Sequence, residues 1–463
     1  MNAHETFLCL DFGTSSLKVG CVTSRGELLS FSRVHLIRSD SDITSWPAER
    51  WLESVRTVIA SGIPLSGCVG IVVSGNGPTL VPVDAVGSPV HPVLLWLDGR
   101  DERVADEGRS FFLPKARWLK IHRPEQYKNT RRFLGCPEYV IHALTGRAVA
   151  ISPTEAFDEF IWTPQEIRAH GLEADLFPEI VRPGGFIGPV CAEAATVFGI
   201  PAGVPVIAGG PDFLMSLVGT ATVDPGTVCD RAGTSEGINY CTDVNVADDR
   251  LRTLPHIVPG LFNVAGILSS TGRLFEWFRQ ISGQTHVSYD TIVANAAAIS
   301  GATQLPQFFP ALHRGASWEF SRGMFIELGA GHGPAEMGRA VIESIGYAVR
   351  EAVEILEENG CTADRITVCG GQAKNRVWNQ MKADIVGRVL EVPEIEDAEL
   401  LGDACAGLVA IGRYPDLASA ARAVYRPKHR FYPVEANNRE FSRLYTRYRE
   451  LYSRFSTALS QTQ

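Results

Sequence analysis

The sequence predicts an α/β fold organised as two related domains. Strand-like apolar runs that end in glycine turns alternate with amphipathic helical stretches along the 463 residues, and this alternation is typical of α/β proteins. The tripeptide Gly-Thr-Ser follows an apolar run twice, at residues 13–15 and at residues 233–235. At roughly 150 residues per domain, the length fits three average domains or two large ones, and the repeat favours two.

Five apolar runs that lead into glycine turns are the predicted strands: FLCLDFGTSS, VGIVVSGNG, VPVIAGGPD, VCDRAGTSEG and ITVCGGQAKN. Apolar periodicity predicts a helix over residues 336–359, which ends before Gly360, because glycine is common just beyond a helix C-terminus. A second helix is predicted over residues 377–386. The turn at residues 223–226 marks the domain boundary, so that the domains span residues 1–222 and 223–463.

Composition and charge exclude several classes of function. The chain is 45% hydrophobic and 21% charged, which is ordinary for a globular protein. Its formal charge of −9 argues against binding to nucleic acid or to anionic membranes, because both need a basic surface. We find no apolar run of the roughly 18 residues that span a membrane and no secretory signal. The ten cysteines form no CxxC pair, so we expect reduced core residues of a cytoplasmic protein.

The segment DFGTSSLK, residues 11–18, combines groups that suit a phosphate site. Glycine lets the backbone turn tightly beside a ligand, and hydroxyls and amides then donate to phosphate oxygens. Asp11 can hold Mg²⁺ directly or through water, and Lys18 adds a positive charge. The alternative is an ordinary β-hairpin with a surface lysine. The chain has no GxxxxGK[ST] segment and no GxGxxG that opens a helix, which excludes the better-known nucleotide loops.

Two further segments place polar groups after a predicted strand. In VIAGGPD, residues 206–212, the strand delivers Asp212 at its end, where α/β folds bind ligands. A carboxylate there can accept the proton of an attacking hydroxyl, or it can be the N-cap of the following helix. In ITVCGGQAKN, residues 366–375, a strand meets two glycines and a helix start. This arrangement suits a nucleotide, or it is simply a tight strand–helix connection.

These segments, in this order, resemble the FGGY carbohydrate kinases, and especially their xylulokinase-like members. The resemblance covers nearly the whole length of the chain. The stretches that carry it are residues 11–18, 95–100, 143–146, 209–212, 226–235, 272–277 and 370–375, with Trp378, residues 383–384 and residues 402–404.

The resemblance implies an actin- and hexokinase-like fold, in which two domains with ribonuclease-H-like cores close over an ATP cleft. It implies ATP-dependent phosphorylation of a hydroxyl of a small-molecule sugar, a ketose such as D-xylulose, with Mg²⁺ and, at family level, a homodimer. Carried over residue by residue, it makes Asp212 the general base and makes Asp11 and Asp212 the metal ligands. The implied nucleotide contacts are Thr14, Ser15 and Lys18 at the transferred phosphoryl group, Gly233 and Thr234 at the β- and γ-phosphates, Gly272 and Glu276 along the nucleotide, and Gly371 and Asn375 by the adenosine.

The predicted sugar side departs from the xylulokinase pattern. Where that pattern has Gln-Met-His-Gly, this chain has SGNGPT, residues 74–79. Pro78 takes the histidine position and has no side-chain or backbone donor. The family's Gly-Glu-Arg-x-Pro segment is replaced by HRGASW, residues 313–318. Both departures concern the substrate rather than the phosphoryl-transfer groups.

Four residues are the predicted sugar contacts: Asn76, Thr79, Trp96 and Asp98. Trp96 alternatively packs in the core, and Asp98 alternatively caps a loop or pairs with Arg100. The alternative substrates are another ketose, such as D-ribulose, or a glycerol-like polyol. The alternative class of function is a non-catalytic ATP-binding protein of the same fold, although a carboxylate such as Asp212, aimed at a sugar, favours the kinase.

Overall fold

A computed structural model describes residues 5–36, 45–103, 108–299, 305–310, 320 and 323–460, with side chains to residue 457. Residues 313–318, where the predicted sugar side departs from the family pattern, lie outside the described residues. The chain divides into two compact units. Unit 1 comprises Met1–Val223, Pro255–Gly260 and Ala398–Tyr425, and unit 2 comprises Asp224–Leu254, Leu261–Asp397 and Arg426–Gln463.

The described strands, in chain order, are β1 (Thr6–Phe12), β2 (Ser16–Thr23), β3 (Leu28–His35), β4 (Cys68–Gly75), β5 (Val81–Val83), β6 (Arg132–Leu134), β7 (Ala150–Ile151), β8 (Ile180–Val181), β9 (Phe186–Pro189), β10 (Pro205–Pro211), β11 (Val228–Ala232), β12 (Glu236–Thr242), β13 (Arg252–Pro255), β14 (Phe262–Leu268), β15 (Gln307–Phe309), β16 (Met324–Ile326), β17 (Arg365–Cys369), β18 (Val389–Pro393) and β19 (Pro427–Phe431).

The described α-helices, in chain order, are α1 (Glu49–Ala60), α2 (Leu113–His122), α3 (Pro124–Asn129), α4 (Cys136–Thr145), α5 (Asp158–Ile161), α6 (Pro164–Ala169), α7 (Ala192–Phe198), α8 (Asp212–Gly219), α9 (Thr271–Ile281), α10 (Tyr289–Ala298), α11 (Pro334–Glu358), α12 (Arg376–Val386), α13 (Glu399–Ala410), α14 (Leu417–Val424) and α15 (Glu435–Ser460).

The main sheet of unit 1 has six strands in the order β3-β2-β1-β4-β10-β9. β2 pairs antiparallel with both β1 and β3, whereas β1, β4 and β10 are parallel. All seven residues of β1 are buried, as expected for a strand that is covered on both faces. Because parallel strands share one carboxyl edge, Gly13, Asn76 and Asp212 all follow strands at the same edge of the sheet.

The main sheet of unit 2 has seven strands in the order β13-β14-β12-β11-β17-β18-β19. Within it, β14-β12-β11-β17-β18 repeats the order and the strand directions of β3-β2-β1-β4-β10. The Gly-Thr-Ser tripeptides join β1 to β2 and β11 to β12. The predicted repeat is therefore one hairpin that occupies the same place in two sheets of the same order.

Helices supply the apolar faces that bury the two sheets. In unit 1, Trp51 of α1 and Ile141 of α4 pack into one cluster with the strand residues Leu10 and Val73. In unit 2, the apolar stripe of α11 packs against β14 and the neighbouring helices. Burial of such apolar surface contributes about 25 cal/mol per Å², which makes these clusters the main favourable term for each unit.

The predicted helices are found close to their predicted bounds. Helix α11 runs over Pro334–Glu358, and Gly360 follows it with φ +78°, the left-handed conformation that glycine adopts without strain. Helix α12 begins at Arg376, one residue before its predicted start. All ten cysteines are free thiols, and most of them are buried.

Two segments of the C-terminal half, Pro255–Gly260 and Ala398–Tyr425, belong to unit 1. The first segment of unit 1 ends at Val223, one residue beyond the predicted boundary. The segment Ala398–Tyr425 also belongs to unit 1, because α13 packs against α8 and β1. A single domain boundary at residue 222 therefore does not account for the packing of Ala398–Tyr425.

Candidate active site

The first Gly-Thr-Ser turn, between β1 and β2, places a lysine between carboxylates. Lys18 lies opposite Asp11 in the hairpin register. Its Nζ lies 3.2 Å from Oδ2 of Asp11 and 3.1 Å from Oε2 of Glu399, and 15% of its side chain is exposed. The alternative interpretation of Lys18 as a surface lysine is therefore wrong.

Asp11 belongs to a buried group of carboxyls at the carboxyl edge of the sheet. Oγ of Ser74, near the end of β4, donates to Oδ2 of Asp403 at 2.9 Å and to Oδ1 of Asp11 at 3.5 Å. Burial raises the pKa of Asp11, although the ammonium of Lys18 partly offsets the rise. Burial and the charge of Asp11 raise the pKa of Asp403 as well.

Asp212 stands where β10 ends and α8 begins. It is the first residue of the helix, and the N-cap is Pro211. Oδ1 of Asp212 accepts the N–H of Phe213 at 2.7 Å, which satisfies one of the free amides at the helix start. Its negative charge also raises the pKa of Asp11. Asp212 is therefore half-buried next to the first hairpin, and the alternative that it is the N-cap is wrong.

Helix α13 brings Glu399 and Asp403 to this edge of unit 1. It crosses α8 closely, because a Cβ on Gly402 would lie only 2.0 Å from the carbonyl oxygen of Met215. Neither acid is among the predicted site residues. The signal that could have found them is the segment at residues 402–404, which carries part of the family resemblance.

Trp96 lies in a turn next to the first hairpin. Its Nε1 donates to Oγ1 of Thr14 at 2.8 Å, and 40% of the residue is exposed. The alternative that Trp96 packs in the core is therefore wrong. The buried Lys115 fixes this turn, because its Nζ donates to the carbonyl oxygens of Leu95 at 2.8 Å and Asp98 at 2.7 Å.

Asp98 pairs with Arg100 at the end of the same turn. Nε of Arg100 lies 2.9 Å from Oδ1 of Asp98, and Nη2 lies 2.5 Å from Oδ2. Burial favours a higher pKa for Asp98, but the hydrogen bonds and the charge of Arg100 bring it below its usual range. The pairing with Arg100 is therefore confirmed, and a sugar contact by Asp98 stays a prediction.

The turn from Asn76 to Thr79 uses its polar groups internally. Both residues are buried. Oγ1 of Thr79 donates to Oδ1 of Asn76 at 2.6 Å, and Nδ2 of Asn76 donates to the carbonyl oxygen of Phe12 at 2.9 Å. The peptide bond between Gly77 and Pro78 is cis. The predicted sugar contacts by Asn76 and Thr79 stay predictions, and this burial argues against them.

In unit 2, the second Gly-Thr-Ser turn rests on the start of α9. The N–H of Gly272 donates to the carbonyl oxygen of Thr234 at 3.1 Å. A Cβ on Gly272 would lie 2.2 Å from the carbonyl oxygen of Gly233, so this close approach requires glycine. One helical turn later, Glu276 pairs with Arg279 at 3.0 Å.

The predicted adenosine loop follows β17 in the same unit. Gly370 has φ +89°, and a Cβ there would lie 2.6 Å from the carbonyl oxygen of Ala232. A Cβ on Gly371 would enter open space, with no described atom within 4 Å beyond its chain neighbours. Asn375 is the N-cap of α12, and its Nδ2 donates to Oδ1 of Asp290 at 2.6 Å.

Behind these loops lie three buried charged side chains that are not among the predicted site residues. Nζ of Lys382 lies 2.7 Å from Oδ2 of Asp230 and 2.5 Å from Oε1 of Glu236. All three are almost completely buried. The lysine is separated from the two acids by 152 and 146 positions, so no local sequence motif indicates the cluster.

The carboxyl group of Asp11 fits the metal role predicted for it. Apart from the ion pair with Lys18, its Oδ2 accepts no hydrogen bond from the described residues. Among those residues, no group of three or more His, Cys, Asp or Glu side chains is arranged to hold a metal ion. Sites that bind Mg²⁺ together with substrate phosphates use only one or two carboxylates, so a larger cage is not needed here.

Models of the two domains of a known family match most of the chain. The N-terminal domain model matches residues 6–110 and 108–219, and the C-terminal domain model matches residues 231–411. The chain belongs to the FGGY family of carbohydrate kinases. This carbohydrate kinase is therefore an ATP-dependent sugar kinase, and the predicted two-domain α/β fold is confirmed.

The carbohydrate kinase is similar to the xylulose kinase of Staphylococcus xylosus, with 26% identity over 96% of this chain and 99% of the relative. A ligand-bound xylulose kinase from Lactobacillus acidophilus shares the fold, with a TM-score of 0.81 at 19% identity over 99% of this chain and 100% of that one. A gluconate kinase from the same organism has a TM-score of 0.81 at 18% identity, with both chains fully covered.

Within the described ranges, no helix has the length and apolar character that crossing a membrane requires.

Proposed function

We propose that this kinase transfers the terminal phosphoryl group of ATP to a hydroxyl of a ketose, with D-xylulose as the first candidate. The observation that carries the proposal is the position of Asp212, which begins α8 at the sheet edge where Asp11 and the first Gly-Thr-Ser turn also lie. A half-buried carboxylate there can accept the proton of the attacking hydroxyl. The similarity to xylulose kinases over almost the whole chain supports the ketose class.

The first hairpin supplies the groups for the transferred phosphoryl group in this proposal. Phosphoryl transfer needs in-line positioning and stabilisation of charge rather than covalent help from the protein. Thr14, Ser15 and Lys18 contact the transferred group. Lys18 is suited to this role because its contacts with Asp11 and a second carboxylate hold the ammonium in place before a nucleotide binds.

Asp11 and Asp212 are the proposed holders of Mg²⁺. When bound, the ion neutralises charge on the phosphate oxygens. Asp11 supplies a buried carboxylate oxygen that accepts no hydrogen bond from the described residues. Asp212 keeps one oxygen on a backbone N–H of its own helix, which orients the carboxylate for the hydroxyl proton.

The proposed nucleotide contacts of unit 2 come from three segments. Gly233 and Thr234 form the turn that contacts the β- and γ-phosphates in this proposal, as turns of this kind do. The N–H of Gly233 donates to the carbonyl oxygen of Ser235 at 2.9 Å and holds the turn in shape. The close packing of α9 on this turn supports a position for Gly272 and Glu276 along the nucleotide. The open space above Gly371 and the capping role of Asn375 support a position for adenosine at the start of α12. These six residues extend the proposal to the whole nucleotide.

The sugar side favours a second candidate, a different ketose such as D-ribulose, or a polyol. Pro78 stands at the histidine position of the xylulokinase pattern, and the neighbouring Asn76 and Thr79 have their polar groups paired inside the protein. We propose Trp96 and Asp98 as the remaining sugar contacts, because the exposed indole of Trp96 offers an apolar face next to Thr14. The cytoplasmic location and the homodimer stay predictions.

The variant Asp212→Asn tests the proposed general base. Because the amide cannot accept the hydroxyl proton, we expect kcat to fall by about 10²–10⁴-fold, with the Kd for ADP within about threefold of wild type. The variant D175N changes an exposed aspartate of the same unit and is the matched control. Near-normal turnover by the Asp212 variant would contradict the assignment.

A substrate panel separates the proposed substrates from the non-catalytic alternative. ATP consumption is measured with pentuloses, hexuloses, polyols and gluconate, and without any acceptor. The proposal predicts that consumption depends on the sugar and is fastest with D-xylulose. A faster reaction with another acceptor selects the second candidate, and acceptor-independent hydrolysis alone favours a regulatory ATP-binding protein.

A further inference from the structure

Three backbone segments of unit 2 converge on one buried ion cluster. The Gly-Thr-Ser turn contacts the start of α9, because the carbonyl oxygen of Thr234 accepts the N–H of Gly272 at 3.1 Å. The loop after β17 crosses the end of β11, where Gly370 approaches the carbonyl oxygen of Ala232. The proposed phosphate and adenosine contacts therefore lie on separate segments that meet side by side within this unit.

The ion cluster, Asp230, Glu236 and Lys382, lies directly behind these segments. Asp230 is on β11, which leads into the turn, and Glu236 is the first residue of β12, which leaves it. Lys382 reaches both acids from α12, at 2.7 Å and 2.5 Å. Burial opposes the charge on Lys382, but the two carboxylates outweigh it and raise its pKa.

Gln372 joins the cluster to the other two segments. Its Nε2 lies 3.3 Å from Oε2 of Glu236 and 3.4 Å from Oγ1 of Thr271, the first residue of α9. Its Oε1 accepts from Nζ of Lys382 at 3.4 Å. One half-buried amide therefore contacts the hairpin, the start of α9 and the lysine together.

Stability alone is a weak reason for three buried charges. Burial of charged groups carries a desolvation cost, and apolar residues of similar volume often give equal or greater stability. What an ion cluster adds is geometry, because charge-assisted hydrogen bonds hold their partners at defined distances and angles. The segments that this geometry fixes are those with the proposed nucleotide contacts.

We propose that Glu236, Lys382 and Gln372 are positioning residues that set the spacing between the phosphate turn and the adenosine loop. The inference rests on the proposed function, which assigns Gly233 and Thr234 to the phosphates and Gly371 to the adenosine. A ligand that spans both places gains from the correct spacing, since its second half binds at a high effective concentration. A ligand that occupies only one place does not.

This distinction identifies the ligands for the test. ATP and ADP span both places, whereas adenosine occupies only the loop and inorganic tripolyphosphate occupies only the turn. Calorimetry with the full-length protein gives Kd for ADP, adenosine and tripolyphosphate in the presence of Mg²⁺. Steady-state kinetics with the preferred sugar gives KM for ATP separately from kcat.

Two variants weaken the cluster in different ways. In Glu236→Gln the side chain keeps its shape, and Lys382 keeps Asp230 as its partner. In Gln372→Met the half-buried amide is removed without a change of charge, so that folding is preserved. The matched control is Glu343→Gln, which alters a buried ion pair with Arg339 on α11 of the same unit, away from the three segments.

The expected result is a rise of about tenfold in the Kd for ADP and the KM for ATP in both variants, with kcat, the sugar KM and Tm close to wild type. The Kd values for adenosine and tripolyphosphate should change less than about threefold, and the control should change none of these constants.

Unchanged ADP binding overturns the inference, and so does an equal loss of adenosine affinity, because equal losses mean local damage rather than altered spacing. A control that loses ADP affinity to the same extent also overturns it. The proposed function fails separately. A wild type that binds ADP but phosphorylates no sugar overturns that proposal, and the binding constants still decide the inference.

Discussion

The two Gly-Thr-Ser hairpins occupy the same place in two sheets of the same strand order, but different charges surround them. Two residues before the glycine stands Asp11 in unit 1 and Arg231 in unit 2. Behind the first hairpin, hydrogen bonds and ion pairs connect Asp11, Glu399 and Asp403 to a single ammonium, that of Lys18. Carboxyl groups therefore outnumber the ammonium at that hairpin, as they also do in the cluster of Asp230, Glu236 and Lys382.

At the second hairpin, the ammonium of Lys382 is buried. Only 1% of the Lys382 side chain is exposed, compared with 15% of Lys18. The comparison teaches that one hairpin geometry serves two purposes. In unit 1 the ammonium is partly exposed, so that a ligand can reach it, and in unit 2 the buried charges hold the backbone that carries the proposed ligand contacts. The substitutions below test this division, beginning with the largest expected effect.

Equivalent substitutions at the two clusters should have unequal effects on turnover. Asp11→Asn removes a proposed Mg²⁺ ligand and the partner of Lys18, so we expect kcat to fall by about 10²–10³-fold. Asp230→Asn leaves Lys382 paired with Glu236 and should act mainly on the KM for ATP. Steady-state kinetics with ATP varied at saturating sugar gives kcat and the KM for ATP of each variant, and an equal loss of kcat in the two variants would remove the distinction between the clusters.

The second hairpin should be sensitive to a methyl group where it rests on α9. In Gly272→Ala the new Cβ would lie 2.2 Å from the carbonyl oxygen of Gly233, so the turn must shift. Overpacking of this kind costs about 1–3 kcal/mol, and we expect the KM for ATP to rise about tenfold or more while the sugar KM stays unchanged. Gly331→Ala, which enters open space, is the control. Wild-type kinetics in the Gly272 variant would show that the contact with the turn is unimportant.

The local parts of this comparison could be predicted from the sequence. Apolar runs followed by Gly-Thr-Ser are enough to predict both hairpins, because strand burial and turn formation depend on neighbouring residues. The same is true of α11, since the periodicity predicts a helix over residues 336–359 and the structure has it over Pro334–Glu358. The order of the motifs also predicts the family, which the domain models confirm.

The charged partners could not be predicted in the same way. Ser74 and Asp403 are 329 positions apart, and their meeting depends on the close crossing of α13 and α8, which no periodicity encodes. In the sequence, Lys382 is one lysine of a predicted helix, and no nearby residue indicates that α12 packs behind the second hairpin. The turn from Asn76 to Thr79 is a different case. Its polar residues can be read from the sequence, but the hydrogen bond between Thr79 and Asn76 cannot.

A smaller effect tests whether that turn supports the first hairpin or contacts the sugar. Thr79→Val removes the donor to Oδ1 of Asn76 and leaves a buried acceptor without this bond, which costs about 1–3 kcal/mol of unfolding free energy. We expect the sugar KM to stay within about threefold of wild type. Chemical denaturation and sugar kinetics measure the two effects, with the exposed Thr196→Val as control. Unchanged stability together with a large rise in sugar KM would restore the sugar contact that the sequence predicts.

The smallest expected effect on turnover concerns a buried carboxyl of unit 1 whose described hydrogen bond is to the backbone. Oε1 of Glu138 accepts the N–H of Ile151 at 2.9 Å, and burial raises the pKa of Glu138 to about 7. Because the folded protein holds this proton more tightly than the unfolded chain, the contribution of Glu138 to stability is lost as pH rises from about 4.5 through 7.

Glu138→Gln removes that titration while its amide oxygen can still accept the same N–H. We therefore expect the variant to be more stable than wild type at pH 8, by roughly 2–3 kcal/mol, with most of the difference lost towards pH 5. Urea unfolding at both pH values measures it, and the exposed Glu193→Gln should show no such trend. A stability difference that is the same at pH 5 and pH 8 would mean that burial does not raise the pKa of this carboxyl, unlike those around Lys18. Among the buried carboxyls discussed for unit 1, those with a raised pKa would then be Asp11 and Asp403, near Lys18.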